Sequence, residues 1–536
     1  MAISTRGIAL SNTCTADPPG LMSMHYNPAG LSALPDGKVF EQGLTIPIIL
    51  ITTRLEADPD ADKFLDRWGP NAEEPENRDP LAGTEGTSGP LMYVPLYNDT
   101  IPFLFGPTVG ISSRQPDSKW TFALGSYAPF AVGLSHEKAD DPLRFAAKSV
   151  AQQHLIYAAP SASYKIDDKL SVGFSVGFGQ TATYASMDMR APSDMIALTK
   201  TLGESTEGLE IPIVSELTLP SPWFGGGVGP YDKLAQISLK LRDDFSPSYN
   251  LGVLWNPKEW LSFGLTYQSE IKLEQVGRYS VQHSPNFTAM MNWMAQGMVL
   301  PVAAASLNLP TSGEDQYGYC SSSSFSYPQR IQAGIKLQPI DQFKFLFDVH
   351  WADWSVIKED RFTFDKNISL LRLVNIMGYG EQPNEMVLER NFEDTIHWSV
   401  GLEILPTDWL TLRFGYEMRP TSVQSNLYDG LYALPDLHNI GTGLGIKLEN
   451  GVNLDLSFAY IFNNSFTVPN GSSYQMNSDD WTRPVYNPFV GLDYIQETKV
   501  YIFSGTLTMP LNIFVDQTKH GIHSVKDIFS KLNPFD

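Results

Sequence analysis

The run Gly173-Phe174-Ser175-Val176-Gly177 has the G-x-S-x-G spacing of a hydrolase nucleophile. That pattern works when the serine stands on a sharp strand-to-helix turn that lifts its Oγ toward a histidine base. Here Leu170, Val172, Phe174, Val176 and Phe178 alternate with Ser171, Gly173, Ser175 and Gly177. Such alternation describes a straight strand, so Ser175 points with the small residues and is not read as catalytic. His350, His397 and His438 stand apart in the chain, with no Cys/His/Asp grouping at metal-ligand spacing. Cys14 and Cys320 are read as free thiols, with a single disulfide as the alternative. Arg413, Glu417, Asp348 and Asp455 fall on alternating segments. They read as ion-paired networks inside a lumen, or else as a grip on a ligand carboxylate. No phosphate loop, zinc motif or basic-aromatic patch occurs, and no cofactor is expected.

The elements that hold these residues follow from bulk properties and period. The chain has 536 residues, beyond the ~250–300 at which a single soluble core stops growing. A barrel escapes that limit by adding strands around a lumen. Aromatics reach 12% and charged residues only 18%, the reverse of a disordered chain. No stretch approaches the ~18 apolar residues of a membrane-spanning helix. Barrel strands need only ~9–11 residues and alternate their faces, so a mean hydropathy of -0.16 is compatible with a membrane barrel. A net charge of -22 argues against nucleic acid, whose phosphates require Lys and Arg. Acidic surface loops bridged by divalent cations would tolerate it.

Period-2 alternation is the dominant signal. It recurs in Val452–Phe462, in the run from Phe343 to Trp351, and in Leu261–Tyr267, Ile331–Leu337, Leu410–Tyr416 and Ile440–Leu448. The spacing predicts strands over 39–54, 100–113, 120–132, 151–166, 170–187, 234–256, 260–282, 327–338, 343–355, 394–405, 409–420, 438–449, 452–466 and 497–514. These are 14 strands, an even number. Short connections (114–119, 167–169, 257–259, 339–342, 406–408, 450–451) interleave without exception with long ones (55–99, 133–150, 188–233, 283–326, 356–393, 421–437, 467–496). Short periplasmic turns opposite long extracellular loops are the mark of an outer-membrane barrel. Trp120, Trp255, Trp260, Trp351, Trp354 and Trp409 lie beside turns or loop starts, where interfacial girdles occur. The start, Met1-Ala2-Ile3-Ser4-Thr5-Arg6, has no charged region followed by an apolar one. A barrel bound for the outer membrane needs such a signal, so the expectation is that the sequence begins near the mature start.

Ahead of the first strand, Tyr26-Asn27-Pro28-Ala29-Gly30-Leu31-Ser32 resembles the hatch signature of the FadL/TodX-type long-chain fatty acid and hydrocarbon transport family. The segments Ser161–Gln180, Tyr249–Glu270, Pro328–Ser355, Asp394–Pro420, Asp436–Tyr460 and Lys499–Phe514 are similar to strand pairs of that family in the same order. The resemblance implies an all-β fold: a monomeric, 14-stranded antiparallel transmembrane β-barrel with an N-terminal hatch plugging its lumen. In residue terms, the hatch is 1–38, the barrel 39–514, and 515–536 a C-terminal extension. In that extension Val525, Ile528, Phe529 and Leu532 have the spacing of an amphipathic helix.

The implied function is passive uptake of long-chain fatty acids, alkanes or aromatic hydrocarbons through the outer membrane, among its lipid and lipopolysaccharide. Two long loops would capture the ligand. One holds Trp223 and Phe224, the other Phe287, Met290, Met291, Trp293 and Met294, a Met-rich surface suited to varied apolar shapes. Packing of these loops against each other is the competing reading. Asn27 and Pro28 form a turn in the hatch. Pro129 cannot donate to a ladder, so it either breaks the third strand to make a lateral opening at Tyr127, Pro129 and Phe130 or simply ends that strand. A general diffusion porin and a surface-exposed structural or adhesive barrel are the alternative functions. An open porin would lack a hatch and would show a charged constriction instead of Met- and Trp-rich loops.

Overall fold

The computed structural model describes residues 3–57, 79–138, 140–190, 231–294, 302, 305, 310–376, 382–425, 427–428, 434–468, 488–489 and 492–515. Trp223, Phe224 and the tail from 516 lie outside the described residues, as do the side chains of Trp293 and Met294.

The strands form a closed, antiparallel 14-stranded barrel. In chain order they are β1 (Gly37–Ala57), β2 (Gly106–Arg114), β3 (Trp120–Ser135), β4 (Ser149–Ala158, resumed at Ser161–Lys165) and β5 (Leu170–Arg190). Next come β6 (Lys233–Lys258), β7 (Leu261–Gln268, resumed at Gln275–His283), β8 (Gln316–Ser322 and Arg330–Ile340), β9 (Phe343–Ala352) and β10 (Thr395–Thr407). The wall finishes with β11 (Leu410–Arg419), β12 (Leu437–Lys447), β13 (Asn453–Phe462) and β14 (Leu492–Pro510). β14 then pairs with β1 from Val39↔Pro510 to Ala57↔Leu492, which closes the ring. All backbone groups of a lipid-crossing wall must pair within it, and closure leaves no edge.

The alternation sets two environments. Leu44, Ile46, Phe122, Leu124, Phe174, Leu251, Phe345, Phe347, Val400 and Phe503 are exposed on the outer face. Their neighbours in sequence, Thr121, Ser175, Leu346, Asp348 and Ser399, are buried inside. Ser175 accepts a hydrogen bond from Ser161 Oγ at 2.8 Å on this inner face, an ordinary strand position. Near the periplasmic turns Trp120 packs on Tyr164 (4.7 Å) and Trp255 on Phe263 (5.3 Å), forming a lower aromatic girdle.

Three expectations need correction. The last strand stops at Pro510, not Phe514, because proline has no N–H to extend the ladder; Phe514 instead stacks on Phe40. The stretches 283–326 and 356–393 are not simple loops. They carry helix α1 (Pro285–Met294), helix α2 (Ser369–Ile376) and the strands Glu359–Phe364 and Glu385–Glu389, which extend the sheet from the first part of β8. Finally, Pro129 does not end β3, which runs on to Ser135.

Candidate functional site

Residues Ile3–Leu34 lie inside the ring and touch strands from around its circumference. Ser4 caps the short helix Thr5–Ala9 by accepting from Gly7 N. Thr5 Oγ1 bonds Ser504 and Thr506 of β14, and Thr15 N donates to Asp348 of β9 at 2.8 Å. Asn27 and Pro28 form a wedge. The Asn27 side chain accepts from Ala29 N and donates to Thr15 O (2.9 Å) and Val253 O (3.0 Å). The wedge fits because the wall opposite is the register pair Gly173↔Gly252. A Cβ at Gly252 would stand 2.0 Å from Asn27 Oδ1, and one at Gly173 would stand 2.1 Å from the Pro28 carbonyl carbon. Glycine in a strand often marks such close approach.

Below the wedge is a floor of charge. Arg6 and Lys344 both pair with Asp17 and Glu403, and Arg413 bridges Glu403 and Asp455. Burial opposes ionisation of Asp17, but Arg6 and Lys344 outweigh it and hold that carboxyl well below its usual range. Higher up, His350 and His397 are cross-strand partners whose rings stack 4.7 Å apart. They are isolated in sequence but adjacent in the wall, so the expectation that they stand alone is corrected. With Glu417 they bring ligand atoms within 4.8 Å of one another. The arrangement does not suit a cation. The Glu417 carboxylate already receives Arg419 (2.8 Å), His397 (3.1 Å), Asn12 and Asn439. This is an ion-paired knot between wall and N-terminal segment.

Above the wedge the lining turns aromatic. Tyr127 is buried against Met24, Tyr26 and Ile156, and its ring meets His25 at 5.3 Å. Phe130 and His154 both pack on Tyr327, at 5.0 and 5.2 Å. Burial and the nearby Arg330 charge hold His25 well below the usual imidazole range, so it is neutral at pH 7. Arg330 itself lies between buried Gln268 and Ala352 in register, and among the described residues it makes no ion pair.

The wall beside these rings is irregular. Tyr127 pairs with Ile156 and Phe130 with His154, so Ala128 and Pro129 face one residue of β4. This is a β-bulge, the setting in which strands tolerate proline. On its other side β3 loses its neighbour. β2 pairs with β3 only as far as Thr108↔Tyr127 and with β1 only as far as Thr45↔Gly106. Above, the wall resumes at Thr52↔Thr87 on β1 and Pro90↔Leu134 on β3. Between these points, among the described residues, β2 offers no ladder pairing to Ile46–Leu50 on β1 or to Phe130–Val132 on β3.

At the extracellular end Phe287, Met290 and Met291 of α1 are buried against Ile237, Leu239, Leu241, Tyr279, Val281 and Phe364. These wall residues continue the inward face that carries Thr181, which His154 meets at 2.9 Å. The structure thus brings Phe287, Met290 and Met291 together, and separately gathers Asn27, Pro28, Tyr127, Pro129 and Phe130 on and around the N-terminal segment. Sequence reading missed Arg6, Asp17, Lys344, Glu403 and Arg330. For Lys344, Glu403 and Arg330 the signal was a charge at an inward position of an alternating strand, the clue that did mark Arg413 and Asp455; Arg6 and Asp17 lie in the N-terminal segment, which has no such alternation.

With this geometry in view, the chain matches the family described as outer membrane protein transport protein (OMPP1/FadL/TodX) over residues 1–509. Its fold is similar to that of a Pseudomonas aeruginosa FadL homologue (TM-score 0.65, 16% identity, 95% of this chain and 99% of that one). It is also similar to the Pseudomonas putida toluene transporter TodX (0.57, 14%, 95% and 98%) and the Ralstonia pickettii toluene transporter TbuX (0.54, 16%, 94% and 97%). At these identities the likeness is one of fold. No curated protein matches the chain.

Two outcomes follow from the packing of the N-terminal segment. Gly252→Val should unseat the Asn27-Pro28 wedge and raise single-channel conductance in planar bilayers, with the barrel itself intact by heat-modified gel mobility; unchanged conductance would count against the wedge. Glu403→Gln leaves Arg6, Lys344 and Arg413 short of a counter-charge. Breaking such a buried network costs about 3–5 kcal/mol, read as earlier proteolysis near Arg6 on heating.

Proposed function

The chain belongs to the FadL/TodX family of outer-membrane transport proteins, channels rather than enzymes, and from that premise we propose that it carries apolar molecules passively inward. The cargo class is long-chain fatty acids, alkanes or aromatic hydrocarbons. Capture occurs at the extracellular cluster of Phe287, Met290 and Met291, joined by Trp223, Phe224, Trp293 and Met294. The ligand then descends along the inward faces of β5–β8 to the rings at Tyr127, Phe130 and Tyr327. Residues 1–38 act as a hatch that Asn27 and Pro28 hold in register, so no open aqueous pore runs through the barrel. Release is lateral, beside the bulge at Tyr127, Pro129 and Phe130. The protein works as a monomer among outer-membrane lipid and lipopolysaccharide.

One observation carries this reading above the others. The inward face below the buried methionines continues past Thr181 to the rings of His154, Phe130 and Tyr327, and that pocket adjoins the stretch where β1 and β3 lack a shared neighbour. An open diffusion pore is disfavoured by the lumen contacts of residues 3–34.

Liposome swelling should detect no flux of small sugars, while a radiolabelled alkane or fatty acid enters. Sugar permeability would sink the proposal. Phe287→Ala combined with Met291→Ala removes two buried apolar groups, each contributing roughly 1.5–3 kcal/mol on burial. Uptake at limiting ligand should fall at least about tenfold by the same scale. Arg330→Gln separates the cargo classes: fatty-acid uptake drops and alkane uptake holds if a carboxylate head sits beside Arg330. Equal effects on both would assign the pocket to hydrocarbon.

A further inference from the structure

Across the extracellular half of β5–β8 one row of the wall reads Tyr184, Lys240, Arg278, Tyr319, each residue paired in register with the next. We propose that this row is the centre of a site on the outer wall for the phosphorylated head of lipid A, the membrane anchor of lipopolysaccharide. The inference rests on the outer-membrane setting given above and names one lipid contact within it.

The row faces out because its neighbours face in. Leu239, Leu241 and Tyr279 are buried in the cluster that holds α1. Lys240 and Arg278 alternate with them and so stand on the opposite face. Arg278 is exposed, as are Tyr319 beside it and Arg242, Val276 and Tyr317 in the adjoining rows.

Two cations therefore lie side by side. Directly opposed residues of an antiparallel pair have Cβ atoms roughly 4.5–5.5 Å apart, where like charges are destabilising. Each turns to the tyrosine on its far side. Lys240 Nζ lies 5.8 Å from the Tyr184 ring centre, and the Arg278 guanidinium lies 5.7 Å from that of Tyr319. Arg242 pairs with Val276, which makes it a diagonal neighbour of Arg278 at roughly 7–8 Å. Acids do reach this face: Asp244 meets Arg242 at 3.4 Å, and Asp188 takes up Lys148 (3.6 Å) and Lys233 (2.8 Å). Among the described residues, however, neither Lys240 nor Arg278 pairs with a carboxylate. In a chain of net charge -22 this is a site for an anion set between them. A phosphate suits it, because arginine offers a fork to two of its oxygens and lysine a point charge.

Height selects the source of that phosphate. On the outer face of β6, Trp255, Val253, Leu251, Tyr249 and Phe245 are exposed. Trp255 to Phe245 is about 33 Å of strand, or about 25 Å of height at a ~40° tilt, the full lipid-facing band of such a barrel. Arg242 and Lys240 follow directly above Phe245, so the cations begin where the hydrocarbon ends. On the extracellular side that level holds the phosphates of lipid A. Its acyl chains would lie below, along Phe245 and Phe178, whose rings stack 6.2 Å apart.

A second feature points to the same amphiphile. The hairpin Met92–Val94 with Asp99–Ile101 lies on this outer side. Tyr93 stacks on Tyr184 at 5.9 Å, and Lys240 donates to Asn98 O at 2.9 Å. That bond uses one of three ammonium protons and leaves two for an anion. The hairpin's turn carries Leu96 and Tyr97, 85% and 78% exposed. Large apolar side chains on a turn beside two cations give one surface both halves of the required chemistry, contact for acyl chains and charge for phosphate.

The test titrates the full-length protein in detergent micelles with bisphosphorylated lipid A and counts bound lipid by native mass spectrometry. Heat-modified gel mobility checks that each variant keeps its barrel. Lys240→Ala combined with Arg278→Ala should weaken binding at least about tenfold, the scale of losing two charge-assisted contacts, whereas Lys240→Arg should retain it. Wild-type protein should bind lipid A stripped of its phosphates as weakly as the double variant binds the intact lipid. Inorganic phosphate and phosphatidylglycerol should fail to displace lipid A. Equal binding by wild type and double variant overturns the site, as does indifference to the phosphates. Displacement by inorganic phosphate or by phosphatidylglycerol overturns lipid A as the occupant. Alkane and fatty-acid uptake by the same protein in liposomes separates this inference from the transport reading: uptake without lipid A binding overturns the site alone, and binding without uptake overturns transport alone.

Discussion

A wall that crosses lipid must pair its backbone groups with itself, because the bilayer core offers no water to do so. Everything else in this structure depends on that constraint. It forces the strands into a ring in which β14 runs beside β1 over the whole length of β14. It turns the period-2 pattern into an outside that suits lipid and an inside that need not. It also gives meaning to the interval between β1 and β3 where β2 stops short at Gly106. A soluble sheet could leave such a gap to water, whereas here it has to be covered or used.

Inside the ring the problem reverses. The inner face is small and polar, and a lumen this wide would hold water unless filled. Ile3–Leu34 fills it with apolar side chains such as Leu10, Leu21, Met24 and Leu31, all fully buried. Its own backbone needs partners, and the wall supplies them through Asp348, Asn250 and Gln268. Glycines let the segment approach the strands. Opposite charges then fix its register, with Arg6 reaching across to Glu403 while Lys344 shares both acids. The pairing is worth little as net stability against an apolar alternative, but it is costly to break on one side only. It therefore specifies where the segment sits more than how tightly it is held.

Strand number, strand faces and the side carrying the long loops were readable from sequence because alternation and turn length are local properties. The same logic marked Arg413 and Asp455, whereas the Asn27-Pro28 pair stood out through the turn chemistry of Asn-Pro and the family resemblance. What stayed hidden needed register. His350 and His397 are 47 positions apart in the chain yet face each other across β9 and β10. Arg330 looks like any strand cation until its neighbours Gln268 and Ala352 are known. The gap beside β3 was half legible. Pro129 signalled a break, but the missing partner belongs to β2, where Pro102 and the Gly106-Pro107 pair are breaker signals that a strand over 100–113 runs through. Phe287, Met290 and Met291 are a different case: α1 buries them against the wall, the packing that stood as the competing reading of that loop.

The polarity of the interior argues for the direction of transport. A ligand resting among Tyr127, Phe130 and Tyr327 has the wedge and then the Arg6–Asp17–Lys344–Glu403–Arg413–Asp455 floor beneath it. To continue down the axis it would have to part those ion pairs and bring methylenes into their place, leaving buried charges uncompensated at several kcal/mol each. Sideways, it meets the interval where β2 ends between β1 and β3, and beyond it hydrocarbon. Each methylene that reaches lipid from water is favoured by about 0.8 kcal/mol, so the lateral step grows easier as the cargo lengthens while the axial one grows harder. A conduit built this way selects for apolarity by its exit as much as by its mouth, and polar solutes gain nothing from either.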